Sequence, residues 1–365
     1  MLLLEGGGHI AELRRAHPSA FNCLWAAPWP TSDPGDPRLP ELIAAYGADP
    51  AGVFLAGFTG HALCLDLFGT PDSAEAARGV PLHGEAAIRP WTFAHALEGC
   101  VGCVDLPAVQ LSLERAIALR EGSSLAMITE TVSNAGPADR DIHWVQHLSL
   151  GAPLLAPETS RIFASLDRGR TWPLGYEGHA LLPDNTDFAW PRLTSLTGDT
   201  VDLRIPFQRP GTGFVAAARV ASSIGWVVAL NWENGLAFLC CFRRADFPWI
   251  AIWEENQARR TAPWNKTAQV RGMEFGTTPM PVGRDAIRAL GPLFDTPVSR
   301  IVPAHASLHA RYAMGVTETP PDLREIAGVE IAANTVLLTT PSAGSPITMP
   351  APGIGEFLLQ GENLE

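Results

Sequence analysis

The stretch GWVVALNWENGLAFLCCF, residues 225–242, holds two apolar runs of strand length, broken by Asn231, Glu233 and Asn234. Similar β-branched and aromatic runs recur at 124–134, 141–151, 249–255 and 335–340. Turn residues separate them: 34 glycines and 32 prolines are scattered through 365 residues, with no linker-like concentration. Turn chemistry spread this widely fits many short elements. Helical signals are few and short, at 73–79 (SAEAARG) and 283–290 (GRDAIRAL). GxGxxG and Walker A motifs are absent, so a nucleotide-binding α/β fold has no support. The expected fold is all-β, one large sandwich of antiparallel sheets over residues 1–365, each with one packed and one wet face. Residues 1–50 read as an irregular Trp/Pro-rich lobe over the sheets. In its segment LWAAPWPTSDPGDP (24–37), Trp25 and Trp29 either plug a sheet edge or line a groove.

Bulk properties exclude some partners. A net charge of −12 disfavours binding to nucleic acid or to an anionic membrane surface. The opening MLLLEGGGHIAEL lacks the basic region of a secretory signal, and no apolar stretch approaches the ~20 residues of a membrane helix. The expectation is a soluble, cytoplasmic protein, with a homodimer left open. The six cysteines include one CxxC, Cys100 and Cys103, which is half of a zinc motif. Cys240 and Cys241 lie in an apolar run, where cysteine behaves as a small core residue. The cysteines are expected to be buried structural thiols.

Three places carry candidate chemistry. PLHGEAAIRPW (81–91) gathers His83, Arg89 and Trp91 around Gly84, which lets the backbone turn closely against a ligand. An imidazole, a guanidinium and an indole together suit a sugar, whose hydroxyls need polar partners and whose C–H face stacks on a ring; an ordinary polar loop is the alternative. In HWVQH, His143 and His147 share strand parity with Val145, so all three point to one face. That pair reads as an acid/base histidine beside a substrate contact, as packing, or as a metal pair with no third ligand of recognisable spacing. In the segment 253–281, Glu254 and Glu255 are adjacent on an apparent strand, so one faces in and one out. Glu274 lies in RGMEFG, where apolar neighbours can desolvate the carboxylate and raise its pKa. Met273 and Phe275 would face the other way.

The order of these motifs resembles the galactose mutarotase-like superfamily, which includes the aldose 1-epimerases. PLHGEAAIRPW resembles that superfamily's first histidine motif, and ETVSNAGPADRDIHWVQHLSLGAPLL the strand–turn–strand bearing its second. RGMEFGTTPMP resembles the late strand with the glutamate base, and IVPAHASLHARYAMGV (301–316) the closing strand. The resemblance covers roughly residues 50–316. It implies a β-supersandwich and ring opening of a pyranose, with no metal and no organic cofactor. His147 would be the general acid, Glu274 the general base and His83 a polarising partner. Trp91, Trp253, Arg89, Arg271, His143, Glu254, His61 and Asp66 would be further sugar-site candidates. Glu254 is the competing base. Where the superfamily has an arginine upstream of the first histidine, GHALCLDLFG (60–69) has His61 and Asp66 instead.

The implied partner is a monosaccharide or sugar derivative, and the implied activity is interconversion of its anomers. The alternatives are a noncatalytic carbohydrate-binding or sensor protein on the same fold, and a lyase or hydrolase using the same cleft.

Overall fold

The computed structural model describes residues 1–17, 20–33, 38–47, 50–172, 175–176, 178–341 and 345–359. Two antiparallel sheets of twelve and eight strands are stacked face to face, and a three-stranded sheet packs on the other face of the eight-stranded one. The central strands of the twelve-stranded sheet are β1 (His61–Asp66), β4 (Arg140–Leu150), β7 (Gln269–Gly276), β6 (Trp249–Asn256) and β5 (Thr212–Val220), adjacent in that order. In the eight-stranded sheet, β2 (Leu111–Ala118), β3 (Leu125–Asn134) and β8 (Ser307–Glu318) are neighbours. The runs expected at 124–134, 141–151, 225–232, 236–242, 249–255 and 335–340 all form strands, with bounds within one residue. This is the all-β sandwich that the scattered turn chemistry implies.

Alternation explains the stacking. On β4, Trp144 and Leu148 point between the two sheets, with Leu63 and Leu65 of β1 and Phe275 of β7. Leu113, Ile128, Tyr312 and Met314 meet them from the eight-stranded sheet. Burying such side chains contributes about 1.5–3 kcal/mol each. The expected wet faces are largely covered as well. Glu254 and Glu255 are both buried, because β6 is packed on its two sides.

The helices are short. α3 (Ser73–Ala77) and α4 (Arg284–Leu290) fall where the sequence signals them. In α3 the Asp72 carboxylate accepts the Glu75 backbone N–H, and the Glu75 carboxylate accepts that of Asp72. α1 (Leu39–Tyr46) and α2 (Pro50–Gly57) were not expected. PAGVFLAG has no polar face, so its helical period is invisible. The lobe over residues 1–50 therefore contains α1 and two short strands, Leu2–Leu3 and Ile10–Glu12, that join the twelve-stranded sheet. Its residues 18–19, 34–37 and 48–49 lie outside the described residues. Trp25 and Trp29 are buried there; the Trp25 backbone N–H donates to Ser149 O, and the Trp29 indole to Leu55 O. The thiol expectation needs correction at the CxxC: Cys240 and Cys241 are buried, but Cys100 is half-buried and Cys103 exposed. Three residues apart on a strand, those two point to opposite faces. Among the described residues no helix is long and apolar enough to cross a membrane.

A polar knot crosses the dry inter-sheet layer. The carboxylate of Glu130 on β3 accepts Arg115 Nε at 2.7 Å, Trp144 Nε1 at 2.8 Å, Gln146 Nε2 at 2.6 Å and Tyr312 Oη at 3.0 Å. Arg115 on β2 also donates to Gly8 O at 2.6 Å and lies 4.8 Å from the Trp91 ring centre. Glu130→Ala would strand the buried guanidinium and three further donors. The expected loss is about 3–5 kcal/mol of folding stability, measured by urea unfolding.

Candidate functional site

The outer face of the twelve-stranded sheet is built by register. Trp144 and Gln146 point inward, so His143, Val145 and His147 point outward. Phe275 pairs with Gln146 and Gly272 with Ser149, which sets Glu274 directly opposite His147. On either side the partners are alanines, Ala62 on β1 and Ala251 on β6. Small residues beside the pair leave a hollow in the sheet face. It forms the floor of a cavity of about 380 Å³. α2 supplies Ala51, Phe54 and Leu55 as one wall, and Phe58, Trp253 and Trp264 continue the aromatic lining. Two larger clefts elsewhere contain no histidine.

His147 Nε2 lies 3.4 Å from Glu274 Oε1, and its Nδ1 shares a hydrogen bond with Ser149 Oγ at 3.2 Å. His83 enters the same cavity, its ring centre 5.6 Å from that of His147. Its backbone has φ of 64°, and Gly84 follows at 83°. A Cβ on Gly84 would come 2.2 Å from Leu65 O, so glycine is what lets this turn press against β1. The Gly69 N–H donates to His83 Nδ1 at 3.3 Å, which leaves the proton of the neutral ring on Nε2. Glycine serves Glu274 too. Gly272 shares its face, and a Cβ there would lie 2.3 Å from Glu274 Oε1.

Burial governs the charges. It pushes Glu274 well above the usual carboxylate range. Burial, helped by nearby His83, holds His147 well below the usual imidazole value, and burial takes His83 down to about 3. The free site therefore favours neutral histidines and a protonated carboxyl.

The candidates read from the sequence separate into two groups. His83, His147, Glu274 and Trp253 line the cavity. The others do not, each for a visible reason. His143 shares the His147 face but lies roughly 13 Å along the strand at four residues' spacing; its Nδ1 accepts the Phe68 N–H, and its pKa is held to about 3, mostly by burial. That spacing also removes the metal-pair reading. Glu254 and Arg271 have the opposite parity and pair with each other, Arg271 also donating to Leu203 O at 2.7 Å. His61 points between the sheets against Tyr312. Asp66 accepts Arg140 Nε at 2.6 Å and Arg284 Nη2 at 3.1 Å. Trp91 is buried in the inter-sheet core with its indole donating to Ala86 O, and Arg89 turns outward to Glu85. PLHGEAAIRPW thus delivers its histidine to the cavity and its arginine and tryptophan elsewhere.

Sequence reasoning missed Phe54, Phe58, Trp264 and Arg259. The Arg259 guanidinium stacks 4.7 Å from the Trp264 ring centre and 4.9 Å from that of Tyr176, and its Nε is 3.6 Å from Glu255. Partly exposed, it places a cation at the cavity mouth, where GHALCLDLFG supplies none. Its position depends on a loop, for which period carries no signal.

No family profile matches the chain, and no curated protein matches it by sequence. Solved structures do match in fold. A candidate aldose 1-epimerase of Klebsiella pneumoniae subsp. pneumoniae aligns with a TM-score of 0.56 at 15% identity, over 87% of this chain and 76% of that one. A galactose mutarotase related enzyme of Lactobacillus acidophilus gives 0.55 at 12% identity, over 88% and 96%. A candidate aldose 1-epimerase of Escherichia coli K12 gives 0.51 at 12% identity, over 73% and 86%. The fold is that of the galactose mutarotase-like proteins.

The two histidines with folded pKa values near 3 make stability depend on pH. A depressed histidine contributes fully above its unfolded value of about 6.5 and loses that contribution as pH falls from there toward 3. Urea unfolding should therefore show stability falling over this window, by up to about 1.4 kcal/mol per pH unit for each histidine. His143→Gln should make the fall shallower.

Proposed function

We propose that the chain is a carbohydrate-active isomerase that interconverts sugar anomers by acid/base ring opening. The observation that carries this reading is the His147–Glu274 pair, 3.4 Å apart in a cavity that also receives His83. A cyclic hemiacetal presents two oxygens on one carbon, the ring oxygen and the anomeric hydroxyl. A base and an acid side by side reach both. Glu274 takes the proton of the anomeric hydroxyl while His147 protonates the ring oxygen, and the C1–O5 bond breaks. Rotation about C1–C2 turns the free aldehyde, and the reverse proton transfers close the ring on its other face. His83 Nε2–H donates to a sugar oxygen. Trp253 offers a ring face to sugar C–H groups.

The proton inventory supports this chemistry. A neutral imidazole beside a protonated carboxyl holds the same number of protons as an imidazolium beside a carboxylate. Burial favours the first form, and one proton transfer within the pair gives the second, the form that opens the ring, without exchange with solvent. The site argues against a two-carboxylate hydrolase, which needs a second carboxyl about 5–9.5 Å away. Glu274 is the only carboxylate lining the cavity among the described residues.

The test is relaxation of freshly dissolved α- or β-aldoses, followed by polarimetry or exchange NMR. The wild-type protein should accelerate it, and His147→Ala and Glu274→Gln should each lower kcat by about 10²–10⁴-fold. Unchanged rates in both variants would overturn the assignment. Sugar binding by calorimetry with no acceleration would make the protein a carbohydrate-binding one.

Gly272→Ala tests the geometry separately. The new methyl would displace the far end of the Glu274 side chain and no backbone. The expected result is a loss of about 10²-fold in kcat, with the urea midpoint unchanged.

A further inference from the structure

The cavity's lining is mostly apolar, and this bears on the substrate class of the site proposed above. Among the described residues, five lining side chains are polar: His83, His147, Glu274, Arg259 and Thr70. Three of them cluster at the reacting end, and Arg259 stands at the mouth. The Trp253 indole N–H is already engaged by Tyr176 Oη at 2.7 Å. Apart from the Trp264 indole N–H, the remaining wall is hydrocarbon and aromatic, including Phe54, Leu55, Phe58, Leu82 and Val215. A volume of about 380 Å³ is at the small end for ligand sites and fits one sugar ring. A fully hydroxylated pyranose in that space would bring several hydroxyls against groups that cannot bond them, and each unmatched hydroxyl weakens binding.

We infer that the site takes a deoxy sugar: a pyranose whose polar edge, the anomeric carbon and ring oxygen, meets His147, Glu274 and His83, while a methyl or methylene replaces one or more hydroxyls against Phe54, Phe58 and Val215. The inference rests on the ring-opening reading for the identity of the reacting end, and on the lining alone for the missing hydroxyls.

The experiment compares matched pairs: D-galactose with 6-deoxy-D-galactose, and D-glucose with its 2-deoxy and 6-deoxy forms. For each, kcat/KM for anomerisation is read by exchange NMR, and binding by tryptophan fluorescence. At least one deoxy sugar should exceed its parent by about 10–100-fold in kcat/KM, the range an apolar pocket achieves. Val215→Thr, which adds a hydroxyl at nearly constant volume, should narrow that ratio. Parent hexoses that relax as fast as every deoxy partner would overturn the inference and leave the mutarotase reading intact. Tighter binding of a deoxy sugar with no acceleration would do the reverse. Neither binding nor acceleration with any of these sugars would overturn both.

Discussion

The carboxylate of Glu130 lies in a layer filled mostly with hydrocarbon, and it accepts hydrogen bonds from both sheets at once. Two donors, Trp144 and Gln146, come from β4 in the twelve-stranded sheet; Arg115 and Tyr312 come from the sheet of Glu130 itself. A buried carboxylate is costly unless its lone pairs are satisfied. Here they are satisfied only when Trp144 and Gln146 face inward. A slip of β4 by one residue would turn both outward and leave an unpaired charge in the core. The knot therefore specifies the parity of β4 as well as joining the sheets, and that parity points His147 to the opposite face.

From that parity the site follows by pairing. Glu274 is opposite His147 because β7 is held to β4 in one register. Both neighbours in the row are alanines, so the pair occupies a depression instead of a packed surface. Gly272 leaves room for the carboxylate to lean back along its own strand. His83 reaches the depression from a loop that only a glycine allows to lie so close to β1. The rigid sheet contributes the proposed acid and base, and the loops contribute the wall. This is the division expected when reacting groups need fixed geometry and specificity resides in variable segments.

The same physics decides what could be read from the sequence. Strand runs and their alternation were legible, because period 2 survives wherever one face differs from the other. His83, His147 and Glu274 stood out because glycine or strict parity marked them. Glu254 and Arg271 misled for the opposite reason. Their strands are buried on both sides, so alternation no longer says which face holds the site, and two charged residues that neutralise each other resemble two that bind a ligand. Arg89 and Trp91 were close to His83 in sequence only. α2 was hidden by its uniform apolarity, and Arg259 with Trp264 by their loop. The arginine that the superfamily carries upstream of its first histidine is missing from this sequence, and the cation lining the cavity comes from the segment after β6.

The aromatic wall and the protonation of the pair are one property seen twice. Phe54, Phe58 and Trp253 surround His147, with ring centres 5.0–6.2 Å from its own. By excluding water they raise the cost of charge on either partner, which favours a neutral imidazole and a protonated carboxyl. They also leave the hydrogen-bonding side chains of the cavity few, grouped mainly around His147, Glu274 and His83. A more polar lining would satisfy more hydroxyls, but it would solvate the carboxylate and return Glu274 toward an ordinary acid. The protonation of the pair and the polarity of the cavity are thus set by the same side chains, and a substitution that changes one must shift the other.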